Sequence, residues 1–151
     1  MTGQLKVASW NVCLGLSNKK DYVEYEIKKE KIDICCLQEC EVPVNLDEKM
    51  LTFKDYNLEL EDNMYKKRTG IYINNKISYT RRNDLETKNS NIVIIDVSDS
   101  REYRIINVYR SFVTYDNDRP IDKFQNQLSI ISNALNESPA KIPIILGDFQ
   151  S

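Results

Sequence analysis

The sequence predicts an α+β fold, because three patterns follow one another along the chain. A strand, a helix and a strand come first, a series of short β-rich segments follows, and a long amphipathic helix precedes a final apolar strand. The 151 residues suit one domain, and 41% apolar with 29% charged residues is typical of a globular protein. We therefore expect one α+β domain over residues 1–151.

The first third of the chain predicts a βαβ unit. Odd-numbered and even-numbered positions form two different faces over residues 5–12, which indicates a strand. Asn18 is a candidate cap for a helix over residues 19–31, with Val23 and Ile27 on its apolar face. Residues 32–37 (IDICCL) form an apolar run typical of a strand that is covered on both sides.

The middle of the chain predicts an antiparallel meander. The pair Asn74-Asn75 is a signal for a two-residue hairpin, because asparagine tolerates positive φ. The predicted strands cover residues 57–60, 69–73, 77–80, 92–97 and 103–109.

A helix and a strand complete the prediction. The helix begins near Asp118, has Pro120 in its first turn and ends near Asn136, and residues 142–146 form the last strand. The apolar residues of the helix recur every three or four positions, so we expect this stripe to pack against the protein. The stripe consists of Ile121, Phe124, Leu128, Ile131 and Leu135.

The composition excludes several classes of chemistry. The sequence contains no histidine, which rules out within it Ser-His-Asp and Cys-His triads, histidine zinc sites and histidine proton switches. The net charge of -2 provides no global attraction to nucleic acid or anionic lipid, so such binding needs a local patch.

The cysteines and the apolar runs predict a compartment. Cys13, Cys35, Cys36 and Cys40 lack the spacing of a zinc site, and we expect buried, reduced thiols. The amino terminus has no apolar segment like that of a signal peptide, and no run is long enough to span a membrane. We expect an intracellular protein of the cytoplasm or nucleus that does not bind membranes.

Four predicted strands end in polar residues. These residues are Asn11, the pair Gln38-Glu39, the pair Tyr109-Arg110, and Asp148. Sites in such folds gather at the carboxyl ends of strands, and two carboxylates with an amide oxygen suit Mg²⁺, with Mn²⁺ as a substitute. Each residue alone also fits a solvated loop or a strand-end hydrogen bond.

The same strand ends carry a family resemblance. The strings SWNV (9–12), LQE (37–39), NVYRSF (107–112) and GDFQ (147–150) occur in the order found in the endonuclease/exonuclease/phosphatase superfamily, which the chain resembles. The strings DICCLQE, RTGIYIN and IPIILGDF are most similar to the endonuclease domains of non-LTR retrotransposon reverse transcriptases. The resemblance implies a DNase-like four-layer α/β/β/α sandwich of mixed, mostly antiparallel sheets with outer helices.

The resemblance also implies roles for individual residues. Glu39 would be the principal Mg²⁺ ligand, and Asn11 would help to order the metal and the phosphate. Tyr109 would contact the scissile phosphate, and Asp148 would orient or deprotonate the attacking water. Gln150 occupies the place of a catalytic amide. Arg110 is a candidate contact to the DNA backbone or a solvent-facing residue, and Lys66, Lys67 and Arg68 form either a DNA-binding patch or a solvated hairpin flank.

The sequence departs from the family pattern in three ways. The motif GDFN is replaced by GDFQ, and Cys13 stands where relatives usually carry a polar residue. The family has further strands and helices beyond this motif, with a late Asp and an Asp-His pair that the sequence lacks. We therefore expect the amino-terminal part of the fold, with exposed apolar surface and an open edge. Such a surface predicts self-association or completion by a separate chain.

Three functions fit these observations. The first is a Mg²⁺-dependent phosphodiester hydrolase, a DNA endonuclease of the retroelement type that is weak or inactive as this fragment. The second is a non-catalytic module that kept the scaffold and binds nucleic acid or protein. The third is a phosphatase of the same superfamily, acting on a sugar or inositol phosphate.

Overall fold

The computed structural model describes residues 4–114 and 117–149 and contains eight strands and two α-helices within them. The helices are α1 (Lys20–Lys29) and α2 (Pro120–Glu137), and short 3₁₀ turns cover Glu48–Leu51 and Asn83–Leu85. The strands are β1 (Val7–Asn11), β2 (Ile34–Pro43), β3 (Tyr56–Leu60), β4 (Lys66–Asn74), β5 (Ser78–Arg81), β6 (Ile92–Ser98), β7 (Glu102–Arg110) and β8 (Ile142–Phe149).

The strands form two four-stranded mixed sheets. The first sheet has the order β1-β2-β4-β3 and the second has the order β5-β6-β7-β8. The pairs β1–β2 and β7–β8 are parallel, and the other four pairs are antiparallel. The α+β prediction and the βαβ unit formed by β1, α1 and β2 are confirmed.

Three apolar cores define four layers. Ile34 and Ile71 of the first sheet pack against Val93 and Ile105 of the second, which forms the core between the sheets. Val23 and Ile27 cover the outer face of the first sheet. Ile130 and Ala134 cover the outer face of the second sheet. The order is helix, sheet, sheet, helix, as the four-layer expectation requires.

A polar bridge joins the two sheets inside this apolar core. The Gln38 amide donates to the Asn107 Oδ1 at 2.9 Å, and the Asn107 amide donates to the carbonyl oxygens of Leu37 and Gly70. Gln38 is 2% exposed and Asn107 is 0% exposed. Because buried amides need partners, these hydrogen bonds restrict how the sheets can slide past each other.

The hairpin predicted at Asn74-Asn75 is wrong. Asn74 ends β4 in the first sheet, whereas Ser78 begins β5 in the second sheet, so the segment crosses between sheets. The Asn74 side chain accepts a hydrogen bond from the Lys76 backbone N–H, which produces the turn without pairing the strands. The predicted cap of α1 is also wrong, because Lys19 rather than Asn18 occupies that position and makes no side-chain cap.

The buried face of α2 differs from the predicted stripe. Gln127, Ile130 and Ala134 are buried, while Ile121, Leu128 and Leu135 are exposed. The physical reason lies in Gln127, whose amide donates to the carbonyl oxygens of Ser90 and Tyr109 at 2.8 and 3.0 Å. These hydrogen bonds turn the polar side chain toward the sheet and leave part of the apolar stripe in solvent.

The cysteine prediction is confirmed at three of four positions. Cys35, Cys36 and Cys40 are buried free thiols, whereas Cys13 is exposed. Burial raises the pKa of the Cys35 thiol to about 12, so this thiol stays protonated at neutral pH. Among the described residues, no helix is long and apolar enough to cross a membrane.

The exposed side of α2 and the adjacent edge strand predict self-association. Leu128 is 48% exposed and Ile145 of β8 is 40% exposed, and among the described strands β8 is the terminal one of its sheet. Unpaired strand edges beside apolar surface favour pairing with another chain. We expect light scattering to show species larger than a monomer, and Leu128→Glu combined with Ile145→Glu to restore the monomer.

Met50→Glu is the matched control. Met50 is 67% exposed in the 3₁₀ turn Glu48–Leu51, whose Leu51 packs in the core on the α1 side, so this substitution should leave the association unchanged. A monodisperse wild-type monomer that binds no dye for apolar surfaces would contradict this expectation.

Candidate active site

Four predicted site residues converge at the carboxyl ends of β1, β7 and β8 and within β2. Asn11 lies beside Gln38 in the first sheet, and Tyr109 lies beside Asp148 in the second. Two contacts cross between the sheets: the Asn11 Nδ2 donates to the Asp148 Oδ2 at 2.6 Å, and the Tyr109 hydroxyl donates to the Glu39 Oε1 at 3.1 Å. Strand register and side-chain contacts therefore join all four into one cluster.

A bulge in β2 turns Glu39 toward this cluster. The pairing of β2 with β4 is interrupted between Gln38 and Val42, and Glu39 and Glu41 have positive φ of 56° and 46°. Strand alternation would place Glu39 on the face opposite to Gln38, which points between the sheets. The left-handed backbone at Glu39 reverses this direction, a distortion typical of functional sites.

The loop after β1 is fastened to the same carboxylate. The Leu14 N–H donates to the Glu39 Oε2 at 3.1 Å, and the Gly15 N–H donates to the Glu39 carbonyl oxygen at 3.0 Å. The Cys13 N–H donates to the Asn11 Oδ1 at 2.8 Å. Backbone N–H groups of this loop thus hold Glu39 and Asn11 in place, in addition to the side-chain contacts with Tyr109 and Asp148.

Gly147 sets the position of Asp148. Gly147 has a φ of 152°, and a Cβ at this position would lie 1.9 Å from the Val108 carbonyl oxygen. Only glycine permits β8 to approach β7 this closely immediately before Asp148. Gln150, the predicted catalytic amide, lies outside the described residues.

Neither carboxylate of the cluster has a cationic partner among the described residues. Glu39 receives neutral donors from Tyr109 and Leu14, and Asp148 receives a neutral amide from Asn11. The salt bridges between described residues include neither Glu39 nor Asp148. Two converging carboxylates without a counter-charge fit a bound cation.

The donor set fits Mg²⁺. Within the described residues no three His, Cys, Asp or Glu side chains gather closely enough to hold a metal. Mg²⁺ needs no such group, because it usually retains several waters and binds proteins through one or two carboxylates. Glu39 is the residue that could hold it, with the Asn11 amide oxygen as a further ligand.

Tyr109 remains a hydrogen-bond donor at neutral pH. Burial raises the pKa of its hydroxyl above the ordinary value, while Ser111 and the Arg68 charge oppose the increase and Glu39 adds to it. A protonated phenol can donate to a phosphate oxygen as it donates to Glu39 here.

The predicted basic patch is not formed as a unit. Arg68 is only 5% exposed, so its prediction as a DNA contact does not agree with the structure. Lys67 pairs with Glu48, and the Lys66 ammonium lies 4.0 Å from the Glu41 carboxylate. Both lysines remain partly exposed at the start of β4.

Arg110 is a basic residue at the carboxyl end of β7. Its guanidinium carbon lies 3.9 Å from the Phe124 ring centroid and 5.5 Å from that of Phe112. Both distances lie within the range of cation–π contacts, which restrict the guanidinium. Arg110 is partly exposed at the end of β7, one residue after Tyr109.

Sequence reasoning missed a buried carboxylate, Glu61, that is linked to the cluster through backbone hydrogen bonds. Glu61 accepts hydrogen bonds from the Asn63 amide and from the backbone N–H groups of Arg68, Thr69 and Asn91. The Asn91 carbonyl oxygen in turn accepts from the Tyr109 N–H at 3.0 Å. Glu61 thus supports the backbone that carries Tyr109, and its position between two short strands gave no signal of this role.

The fold and the cluster together define a class of protein: a four-layer sandwich with a carboxylate, amide and phenol site at the carboxyl ends of its strands. The chain belongs to the Endonuclease/Exonuclease/phosphatase family, whose model matches residues 8–149. No curated protein sequence matches the chain significantly.

Solved structures share the fold at low sequence identity. An AP endonuclease from Archaeoglobus fulgidus has a TM-score of 0.64 and 18% identity, covering 96% of this chain and 57% of its own. A humanized D. rerio TDP2 has a TM-score of 0.65 and 19% identity, with 95% and 61% covered. The 3' phosphatase NExo from Neisseria has a TM-score of 0.61 and 16% identity, with 97% and 58% covered. The chain therefore spans about three fifths of the length of these structures.

The buried Glu61 predicts a pH dependence of stability. Burial raises its pKa from 4.5 to about 7, although its four N–H donors oppose the shift. Because the folded state holds this proton more tightly, the associated stabilisation is complete below about pH 4.5 and is lost as pH rises to about 7. The loss is about 3 kcal/mol, at about 1.4 kcal/mol per pH unit.

We expect Glu61→Gln to lack this pH-dependent stabilisation. We also expect the variant to be less stable than the wild type at acid pH, because an NH₂ donor replaces one carboxyl oxygen. The measurement is the free energy of unfolding in urea of both proteins between pH 4.5 and 8. The wild type should lose stability relative to the variant across this range, and parallel pH curves would contradict the assignment.

Proposed function

We propose that this chain carries the metal-binding and phosphate-binding part of a Mg²⁺-dependent phosphodiester hydrolase that acts on DNA. The single observation that supports it is the convergence of Glu39, Tyr109, Asn11 and Asp148 through two contacts between the sheets. Both carboxylates in that cluster lack a counter-charge among the described residues, and this favours a cation and a phosphate as occupants.

Each residue has a chemical task in this proposal. Glu39 and Asn11 hold the cation, which when bound neutralises negative charge that develops on the phosphate. The Tyr109 hydroxyl donates to a non-bridging phosphate oxygen. Asp148 orients the attacking water and accepts its proton, and the Asn11 amide fixes the carboxylate by its hydrogen bond at 2.6 Å.

The proposal that DNA is the substrate rests on two lines of support. NExo is described with a product DNA hairpin, and another D. rerio TDP2 structure is described with a single-strand DNA product. In this chain, Arg110 follows Tyr109 at the carboxyl end of β7, and its guanidinium contacts the rings of Phe112 and Phe124. A partly exposed guanidinium on the strand end that also carries Tyr109 suits a phosphate of the DNA backbone.

We further propose that this hydrolase is a DNA endonuclease of the retroelement type. This proposal rests on the strings DICCLQE, RTGIYIN and IPIILGDF, which overlap β2, β4 and β8, and the first and last of them contain Glu39 and Asp148. We propose weak activity for the chain as it stands, because Gln150 stands where the family motif has asparagine and its side chain is one methylene longer. A displacement of about 1 Å at a catalytic group can reduce a rate about 100-fold.

A second candidate is a module that binds nucleic acid without hydrolysing it. The observation that favours it is the hydrogen bonding of Asn11, whose Oδ1 accepts the Cys13 N–H and whose Nδ2 donates to Asp148. Both polar atoms of this side chain thus have partners within the protein and need no metal, although the Oδ1 keeps a second lone pair that a cation can use.

The decisive experiment is nicking of supercoiled plasmid with Mg²⁺ or Mn²⁺. We expect slow nicking that a chelator abolishes and that Glu39→Gln reduces by about 100-fold or more, since the variant retains shape but removes the ligand charge. Glu48→Gln is the matched control, because Glu48 pairs with Lys67 outside the cluster and should retain activity.

Two outcomes separate the alternatives. Cleavage that survives both the chelator and Glu39→Gln would contradict the assigned site. Binding of single-stranded oligonucleotide with no cleavage by either metal would instead support the binding module.

A further inference from the structure

Arg68 is buried at a position where the sequence predicts a DNA contact. Its side chain is 6% exposed and its Nε donates to the Glu41 Oε1 at 2.9 Å. Its Nη1 donates to the Val113 carbonyl oxygen at 2.7 Å, and its Nη2 donates to the Ser111 Oγ at 2.8 Å. To reach a phosphate, the guanidinium would have to give up these buried bonds, which is energetically costly.

The partners of Arg68 flank the two residues that meet across the sheets. Glu41 follows Glu39 by two positions within the bulge of β2, and Ser111 follows Tyr109 by two positions, directly after the end of β7. Arg68 lies on β4 opposite that bulge, where the register between the strands is interrupted. One side chain therefore ties the bulge to the segment after β7.

The same guanidinium faces Tyr109 directly. Its central carbon lies 5.0 Å from the centroid of the Tyr109 ring, within the range of a cation–π contact. The hydroxyl at the far end of that ring donates to Glu39. A planar guanidinium with fixed hydrogen bonds restricts the ring more than a flexible ammonium would.

We propose that Arg68 is a positioning residue that holds the Tyr109 ring against Glu39 and so presents the hydroxyl to the phosphate, rather than a residue that contacts DNA. This inference rests on the proposed function for its effect on catalysis. The arrangement of Arg68, Glu41, Ser111 and Tyr109 is itself a property of the fold.

The test compares Arg68→Met, Tyr109→Phe and the double variant in the plasmid assay. We expect Arg68→Met to lower kcat as far as Tyr109→Phe does, about 100-fold for a misplaced group, and the double variant to lose no more. KM for DNA and the salt dependence of DNA binding should stay at wild-type values. A raised KM, with a salt slope reduced by about one, would show a phosphate contact and overturn the proposal.

Two further variants keep the result specific. Arg81→Met removes another partly buried arginine that pairs with Glu59 and Glu86, and we expect its kcat to stay near the wild-type value under conditions where it is folded. Arg68→Lys retains the charge without the planar fork and should be impaired like Arg68→Met. Full activity of Arg68→Lys would overturn the positioning role.

The thermal midpoints of the same variants separate this inference from the proposed function. If Arg68 holds Tyr109, the midpoint loss of the double variant is smaller than the sum of the two single losses. Additive losses would overturn the inference. Absence of nicking by the wild type would contradict the proposed function, and the midpoints would still decide whether Arg68 fixes Tyr109.

Discussion

The hydrogen-bonded bridge between Gln38 and Asn107 is the constraint on which the arrangement of this protein depends. Apolar side chains fill the space between the two sheets, and apolar contacts have little directional preference. The bridge adds direction, because two buried amides must satisfy each other and the carbonyl oxygens of Leu37 and Gly70. Leaving one such group unpaired costs about 1–3 kcal/mol, so the relative position of the sheets is closely defined.

The candidate site is an extension of that bridge. Glu39 follows Gln38 directly, and Tyr109 follows Asn107 by two positions on the same face of β7, so fixing the amides also fixes the pair above them. Strand register then places Asn11 and Asp148 beside them. Arg68 holds the Tyr109 ring. Glu61 holds the nearby backbone, because it accepts the Asn91 N–H and the Asn91 carbonyl oxygen accepts the Tyr109 N–H. The site is thus built mainly by buried polar groups, and its two carboxylates remain without cations among the described residues.

Period-two and period-three-to-four patterns were sufficient to predict the strands, both helices and the βαβ unit. They could not show that Glu39 lies in a bulge, because its positive φ involves no glycine and its hydrogen-bond partner Leu14 is distant in the sequence. The predicted buried face of α2 is wrong because the Gln127 amide donates to two carbonyl oxygens that no local pattern reveals. The sequence predicts a surface position for Arg68, because its burial depends on Glu41 of β2 and on Ser111 after β7, which are distant along the chain. Tertiary hydrogen bonds account for each of these differences.

The most direct test of the account is the Mn²⁺ affinity of Asn107→Leu, measured by calorimetry under conditions where the variant remains folded. Asn107 is fully buried and is not proposed to touch the metal, so its effect on metal binding passes through its hydrogen bonds to Gln38, Leu37 and Gly70. We expect an affinity about 10–100-fold weaker than that of the wild type, the usual effect of disturbing the groups that orient metal ligands. Ile106→Val on the outer face of the same strand should bind normally. Wild-type affinity in Asn107→Leu, with binding still lost in Glu39→Gln, would contradict the account.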